Sequence, residues 1–286
     1  MSDIHDKKIK ELELKANEIR QSIIEMLTEA GSGHTAGPLG MADIFTAFYF
    51  HILNHDPKNP DMEDRDRLIL SNGHIVPVRY ATMAHAGYFP LEELKTLRKF
   101  GSRLQGHPER ERLPGVENVS GPLGSGLSQA AGIALGARMD GKKFQTYCLM
   151  SDGEHDAGNI WEGAMFAGNN KLSNLTGIID RNNIQINGMT EDVMPLEPLK
   201  DKYEAFGWHV IDIDGHNMEE IVDAVEKAKA IYEKPTLIIA HTIPGKGIKD
   251  IEFDYTWHGK PPKKDEAKKF LEELRTLGEK IESEHK

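Results

Sequence analysis

Ile9, Leu12, Leu14, Ile19, Ile23, Ile24 and Leu27 recur at close to helical spacing. That spacing predicts an N-terminal helix over about 7–30, which Gly31 and Gly33 end. A second helix is expected from Met41 to about Leu53, bounded by Asn54 and Pro57. Leu68-Ile69-Leu70 reads as a short strand closed by Asn72-Gly73. Four later apolar runs, Thr146 to Met150, Leu175 to Ile179, His209 to Ile213 and Thr236 to Ala240, are short and β-branched, as buried parallel strands are. Helical patterns lie near 125–139, 158–170, 196–206 and 217–232, and a last helix runs from Lys264 to about Ile281. Strands alternating with helices predict an α/β fold: a doubly wound, mostly parallel sheet with helices on both faces. With no repeat, low-complexity tract or linker, residues 1–286 are expected to form a single domain.

Charge narrows the choice of partners. The 286 residues carry 46 acidic and 35 basic side chains, a formal net charge of -11. Nucleic-acid binding draws on Lys and Arg neutralising phosphates, so a polyanion partner is not expected. A small phosphorylated ligand remains compatible. The lone Cys148 lies inside the strand run 146–150 and reads as a packing residue, with no disulfide possible within the chain. Met1 to Lys10 is charged and lacks an apolar core, and no run reaches the ~20 apolar residues of a membrane span. A cytoplasmic protein, away from membranes, is expected.

Candidate chemistry gathers at the strand ends. Asp152-Gly153 follows one apolar run and Asp180-Arg181-Asn182 follows the next. Ligands of open parallel sheets bind outside the carboxyl ends of the strands. Asp152, Asn182 and a backbone carbonyl could therefore give a hard cation three oxygen ligands, with phosphate and water completing the shell. Gly153 would let the backbone approach a phosphate. Asp-Gly alone is commonly just a turn; the second element thirty positions on makes the pairing specific.

Among the thirteen histidines four matter, each beside a glycine in a glycine-bearing motif: His34, His74, His107 and His258. Imidazole hydrogen-bonds hydroxyls and exchanges protons near neutral pH, although each ring taken singly also reads as an ordinary loop histidine. Zinc ligation lacks a short two-ligand spacing and a second cysteine. His85, His155, His209, His216 and His241 are read as structural. Gly121-Pro122-Leu123-Gly124-Ser125-Gly126-Leu127 precedes an Ala/Gly-rich helix and suits tight packing. Pro244-Gly245-Lys246-Gly247 fits a phosphate contact or a solvated turn, and the charge run Lys260 to Lys269 reads as a solvated face.

Asp152-Gly153, Trp161-Glu162, Leu172-Ser173-Asn174-Leu175 and Asp180-Arg181-Asn182-Asn183-Ile184-Gln185-Ile186-Asn187-Gly188 together resemble the thiamine-diphosphate signature of transketolases. The four histidine motifs follow in that family's order. The resemblance implies magnesium ligation by Asp152, Asn182 and the carbonyl of Ile184, and diphosphate contacts from Gly153 and Asn182. It implies that Gly121, Pro122 and Leu123 run along the cofactor and that His74 lies near the diphosphate. It places His34 and His258 in the substrate channel, His258 also reaching the cofactor, and His107 at the donor sugar. Two positions depart from the family: Ser151 stands where glycine is usual, and Ala157 replaces a glutamate that couples active sites across a dimer. Asp156, beside Ala157, is expected to point elsewhere.

The resemblance runs from His34 to His258-Gly259, and one helix follows. The family's pyrimidine-binding domain, with its activating glutamate, is not part of the pattern. A separate partner chain in a two-plus-two heterotetramer is therefore implied, transferring a two-carbon ketol unit from a ketose phosphate to an aldose phosphate, as in pentose phosphate metabolism. The alternatives are a 1-deoxyxylulose-5-phosphate-synthase-like half and a non-catalytic cofactor-binding or regulatory subunit.

Overall fold

Leu12, Ala16, Ile19, Ile23, Ile24 and Leu27 fall on one side of α1 (Asp6–Ala30), and all are buried. Helix α1 ends where glycine can adopt φ +63°: the Gly31 N–H donates to Leu27 O. The computed structural model describes residues 6–285, so half of the Met1–Lys10 stretch read for targeting lies outside the described residues.

The helix expected over Met41 to Leu53 is broken and begins earlier. It consists of α2 (Ala36–Gly40), α3 (Ala42–Ala47) and a π-helical turn over Phe48–Ile52. Pro38 does not prevent the early start, because the first N–H groups of a helix have no intrahelical acceptor. The segment Ala36–Gly40, just after His34, is therefore helical.

Strand β1 (Arg67–Leu70) and α4 (Val76–His85) follow. Helix α4 was not anticipated; it is buried nearly all round, so its sequence carries no amphipathic stripe. Next come α5 (Ser125–Met139), β2 (Thr146–Ser151), α6 (Gly158–Asn169) and β3 (Leu175–Arg181). The small hairpin β4 (Ile184–Gln185) and β5 (Gly188–Met189) leads into α7 (Thr190–Val193) and α8 (Leu199–Ala205). Helix α8 starts later than the expected 196 because Pro198 keeps the residue before it out of helical geometry. The chain closes with β6 (His209–Asp214), α9 (Met218–Ala230), β7 (Thr236–His241) and α10 (Lys264–Glu284).

Five parallel strands form one sheet in the order β1-β2-β3-β7-β6. Alternate side chains enter opposite cores, as the two-residue period requires. Leu68, Leu70, Tyr147, Leu149, Ile178 and Ile238 join the core under α1–α4, α9 and α10. Ile69, Cys148, Met150, Ile179, Leu237 and Ile239 join the core under α5, α6 and α8. Both faces are covered, which explains the unbroken apolar runs. At the β1 edge, the Leu70 N–H donates to Asn118 Oδ1 at 3.2 Å, and Asn118 Nδ2 donates to Leu70 O at 3.1 Å.

The charge run at 260–269 is only partly a solvated face. The Lys260 ammonium sits 3.6 Å from the Trp257 ring centroid and pairs with Glu266, while Ala267 is buried.

The strands step outward from β1 to β3; the chain then crosses to the far edge with β6 and returns with β7. The order thus reverses between β3 and β7, and a crevice opens outside the carboxyl ends of strands at such a reversal.

Candidate active site

A cavity of about 400 Å³ opens at the carboxyl ends of β2 and β3. His34, His74, His107 and His258 line it together with Gly121, Leu123, Asp152, Gly153, Asn182 and Ile184. These residues come from chain segments more than two hundred positions apart. Pro122 is the exception among the candidates: it is exposed and lies outside the lining. Lys246 is also outside it; the Gly245 N–H instead donates to Ala36 O, tying that turn to α2.

Three of the imidazoles form a cluster. Ring centroids lie 4.9 Å apart for His34 and His74, 5.2 Å for His74 and His258, and 5.4 Å for His34 and His258. Burial, then the neighbouring His258, His107 and Arg98, pushes His34 down to about 4. Burial likewise holds His74 well below its ordinary value and lowers His107 and His258. Neutral rings result, each with one nitrogen that donates a hydrogen bond and one that accepts, as a sugar hydroxyl requires.

Asp152, 1% exposed at the end of β2, is held by many donors. Its Oδ1 accepts from Gly153 N at 2.7 Å; its Oδ2 accepts from Asn183 N at 2.7 Å and Arg181 Nη1 at 3.1 Å. Burial raises its pKa, with Arg181 and the two backbone N–H groups opposing. Arg181 Nη2 in turn donates to Glu191 and Glu197. Asn182 Oδ1 accepts from Ile184 N at 3.0 Å, bringing two further candidates together.

Several lining or supporting residues were assigned no role from sequence. Ser151, Gln185, Ile186 and Asn187 line the cavity, the last three because the β4–β5 hairpin folds over it. Asp156 turns towards this wall: its Oδ2 accepts from Gln185 Nε2 at 3.1 Å. Glu154 is buried and stitches three segments together. Its Oε2 accepts from Ser71 Oγ at 2.6 Å and Gly124 N at 2.8 Å, and its Oε1 from Ser151 N at 2.7 Å. Burial pushes its carboxyl up to about 7 against those three donors. His155, read as structural, is enclosed: Nδ1 contacts Ser151 O at 2.8 Å and Nε2 contacts the Tyr203 hydroxyl at 2.8 Å.

The residues present suit a diphosphate held through a hard cation. The candidate ligands are carboxylate, amide and carbonyl oxygens, without the sulfur or nitrogen a softer metal prefers. Gly153 leaves a cradle: a Cβ there would stand 3.0 Å from Gln185. His258 Nδ1 is buried at the cavity without a hydrogen-bond partner among the described residues, as a group awaiting a ligand would be.

Residues 12–280 match the family described as "Transketolase, thiamine diphosphate binding domain". The "6-deoxy-6-sulfo-D-fructose transketolase subunit SqwG" of Clostridium sp. (strain MSTE9) is 46% identical over 237 residues, covering 83% of this chain and 86% of its own. An apulose-4-phosphate transketolase subunit of Phocaeicola vulgatus is 40% identical over 277 residues, covering 97% and 98%. The solved transketolase of Leishmania mexicana superposes with a TM-score of 0.85 at 32% identity over 96% of this chain. This chain spans 45% of the length of that one. Family match, relatives and fold agree: the chain belongs to the thiamine-diphosphate-binding domain family of transketolases.

Proposed function

We propose that this chain is the diphosphate-binding subunit of a two-chain transketolase, active only with a separate pyrimidine-domain subunit. The observation that carries the reading is the convergence of Asp152, Asn182, Ile184 and four neutral histidines on one cavity. Thiamine diphosphate, when bound, supplies the nucleophilic carbon that takes up the two-carbon ketol unit of a ketose phosphate and passes it to an aldose phosphate. Asp152, the Asn182 amide oxygen and the Ile184 carbonyl would hold Mg²⁺; Gly153 would leave room for the diphosphate. Gly121 and Leu123 would flank the cofactor, with His74 beside the phosphates. His34, His107 and His258 would orient sugar hydroxyls and accept their protons, and His258 would also touch the cofactor.

Two observations support a partner. Both relatives above are named as subunits, and apolar side chains stand exposed around the cavity and on α6: Leu123, Ile186, Met165 and Phe166. A heterotetramer of two such chains and two partners would cover them; alone, the chain would self-associate through the same surface. The 1–286 chain acts as one domain in this proposal, and it works in the cytoplasm on pentose phosphates or related anionic ketoses. No helix among the described residues is long and apolar enough to cross a membrane.

The test is a coupled assay with xylulose 5-phosphate and ribose 5-phosphate, repeated with 6-deoxy-6-sulfofructose and apulose 4-phosphate as donors. It is run with this chain, the co-purified partner, and both together. Turnover only in the mixture is expected; turnover by the isolated chain overturns the two-chain reading.

A further inference from the structure

Behind Asn182 lies a buried carboxylate to which the proposal above gives no part. Asp180 is 1% exposed and forms no ion pair among the described residues. Its Oδ1 accepts from the Thr242 hydroxyl, and its Oδ2 accepts from Asn182 Nδ2 at 2.7 Å. Thr242 follows β7 and Asn182 follows β3, so Asp180 bonds across the point where the strand order reverses.

An asparagine amide has two ends of nearly equal shape and opposite chemistry. The oxygen can ligate a hard cation; the NH₂ group cannot. Both Asp180 oxygens accept in the structure, one from the Thr242 hydroxyl and the other from Asn182 Nδ2, so Asp180 claims the nitrogen of Asn182. Asn182 lines the cavity and Asp180 does not, so the amide atom left for the cavity is the oxygen. The Ile184 N–H, bonded to that oxygen at 3.0 Å, agrees with the same orientation.

We propose that Asp180, backed by Thr242, is a positioning residue: it fixes the Asn182 amide so that its oxygen faces the metal site. The inference rests on the metal assignment made above. Supporting carboxylates of this kind fix ligand orientation, and removing them commonly weakens metal binding about tenfold to a hundredfold. Asp180→Asn keeps the size but can present either end of its own amide, so the Asn182 amide is no longer held one way round.

The test is Mn²⁺ binding to the full chain in the presence of thiamine diphosphate, read by electron paramagnetic resonance, with thermal melting as a check on folding. Wild type should bind and Asp152→Asn should not. Asp180→Asn should bind about tenfold to a hundredfold more weakly. The decisive variant is the double change Asp180→Asn with Asn182→Asp. A carboxylate at 182 offers oxygen from either end and needs no orientation, so Mn²⁺ affinity should return to within a few-fold of wild type. Wild-type affinity in Asp180→Asn, or no recovery in the double variant, overturns the inference while Asp152→Asn still reports on the metal site. Absence of Mn²⁺ binding in wild type, or full binding by Asp152→Asn, overturns the metal assignment and this inference with it.

Discussion

His34 and His258 meet edge to face, their ring centroids 5.4 Å apart and their planes at 84°. Burial disfavours a proton on either ring, and at His34 the neighbouring His258 adds to that penalty. His34 therefore titrates near 4 in the folded chain, against an ordinary 6.5. Between those values the unfolded chain binds a proton that the folded chain refuses, so stability falls as pH drops from about 6.5 and levels off below about 4. At ~1.4 kcal/mol for each pH unit between the two values, the loss is at most about 3–4 kcal/mol. Urea midpoints from pH 7 to 4.5 should fall in wild type and fall less in His34→Asn. Equal slopes would remove His34 from the account.

Replacing the rings should separate two roles. His34→Ala, His107→Ala and His258→Ala should each lower turnover of the assembled enzyme about 10²–10⁴-fold, the usual cost of losing a proton-transfer group. His74→Ala should instead weaken cofactor affinity. Steady-state kinetics at saturating cofactor, with calorimetric titration of thiamine diphosphate, distinguishes the two; normal turnover in the first three variants returns them to ordinary loop histidines.

Asn182→Ala should abolish the magnesium dependence of thiamine diphosphate binding. Among the described residues its amide bonds only Asp180 and the Ile184 N–H, so the fold should survive the change. Calorimetry with and without Mg²⁺ measures this, and undiminished metal-dependent affinity would count against the ligand set.

Two glycines should respond oppositely to alanine. At Gly168 a Cβ would lie 1.9 Å from the Phe206 carbonyl oxygen, so Gly168→Ala should destabilise the chain by about 1–3 kcal/mol or more. Gly132, exposed within α5, has nothing within 4 Å of its Cβ position. Gly132→Ala should stabilise by about 0.5–1 kcal/mol. Denaturant midpoints of the isolated chain settle both signs.

The sheet was legible because strands buried on both faces leave dense apolar runs, as Thr146 to Ser151 and Thr236 to His241 do. Helix α4 was not, since burial nearly all round erases the periodicity that reveals a helix. Within the site, Asp152 and Asn182 stood out at the ends of apolar runs, and the histidines stood out beside glycine. Glu154 gave no such signal, and Asp180, beside Asn182 at a strand end, took no role of its own from the sequence. Their roles depend on Ser71, Gly124 and Thr242, partners brought close only by folding.

The Asn118 amide does at the rim of the sheet what a sixth strand would do. It returns one donor and one acceptor to Leu70, so that residue offers neither to a passing chain. An otherwise unpaired edge built from Arg67-Leu68-Ile69-Leu70 would be a template for intermolecular strand addition, the first step towards aggregation. A single side chain in an irregular segment thus serves as a stopper. It also pins the loop that carries His107 to the scaffold, so resistance to aggregation and placement of a functional residue share one fastening.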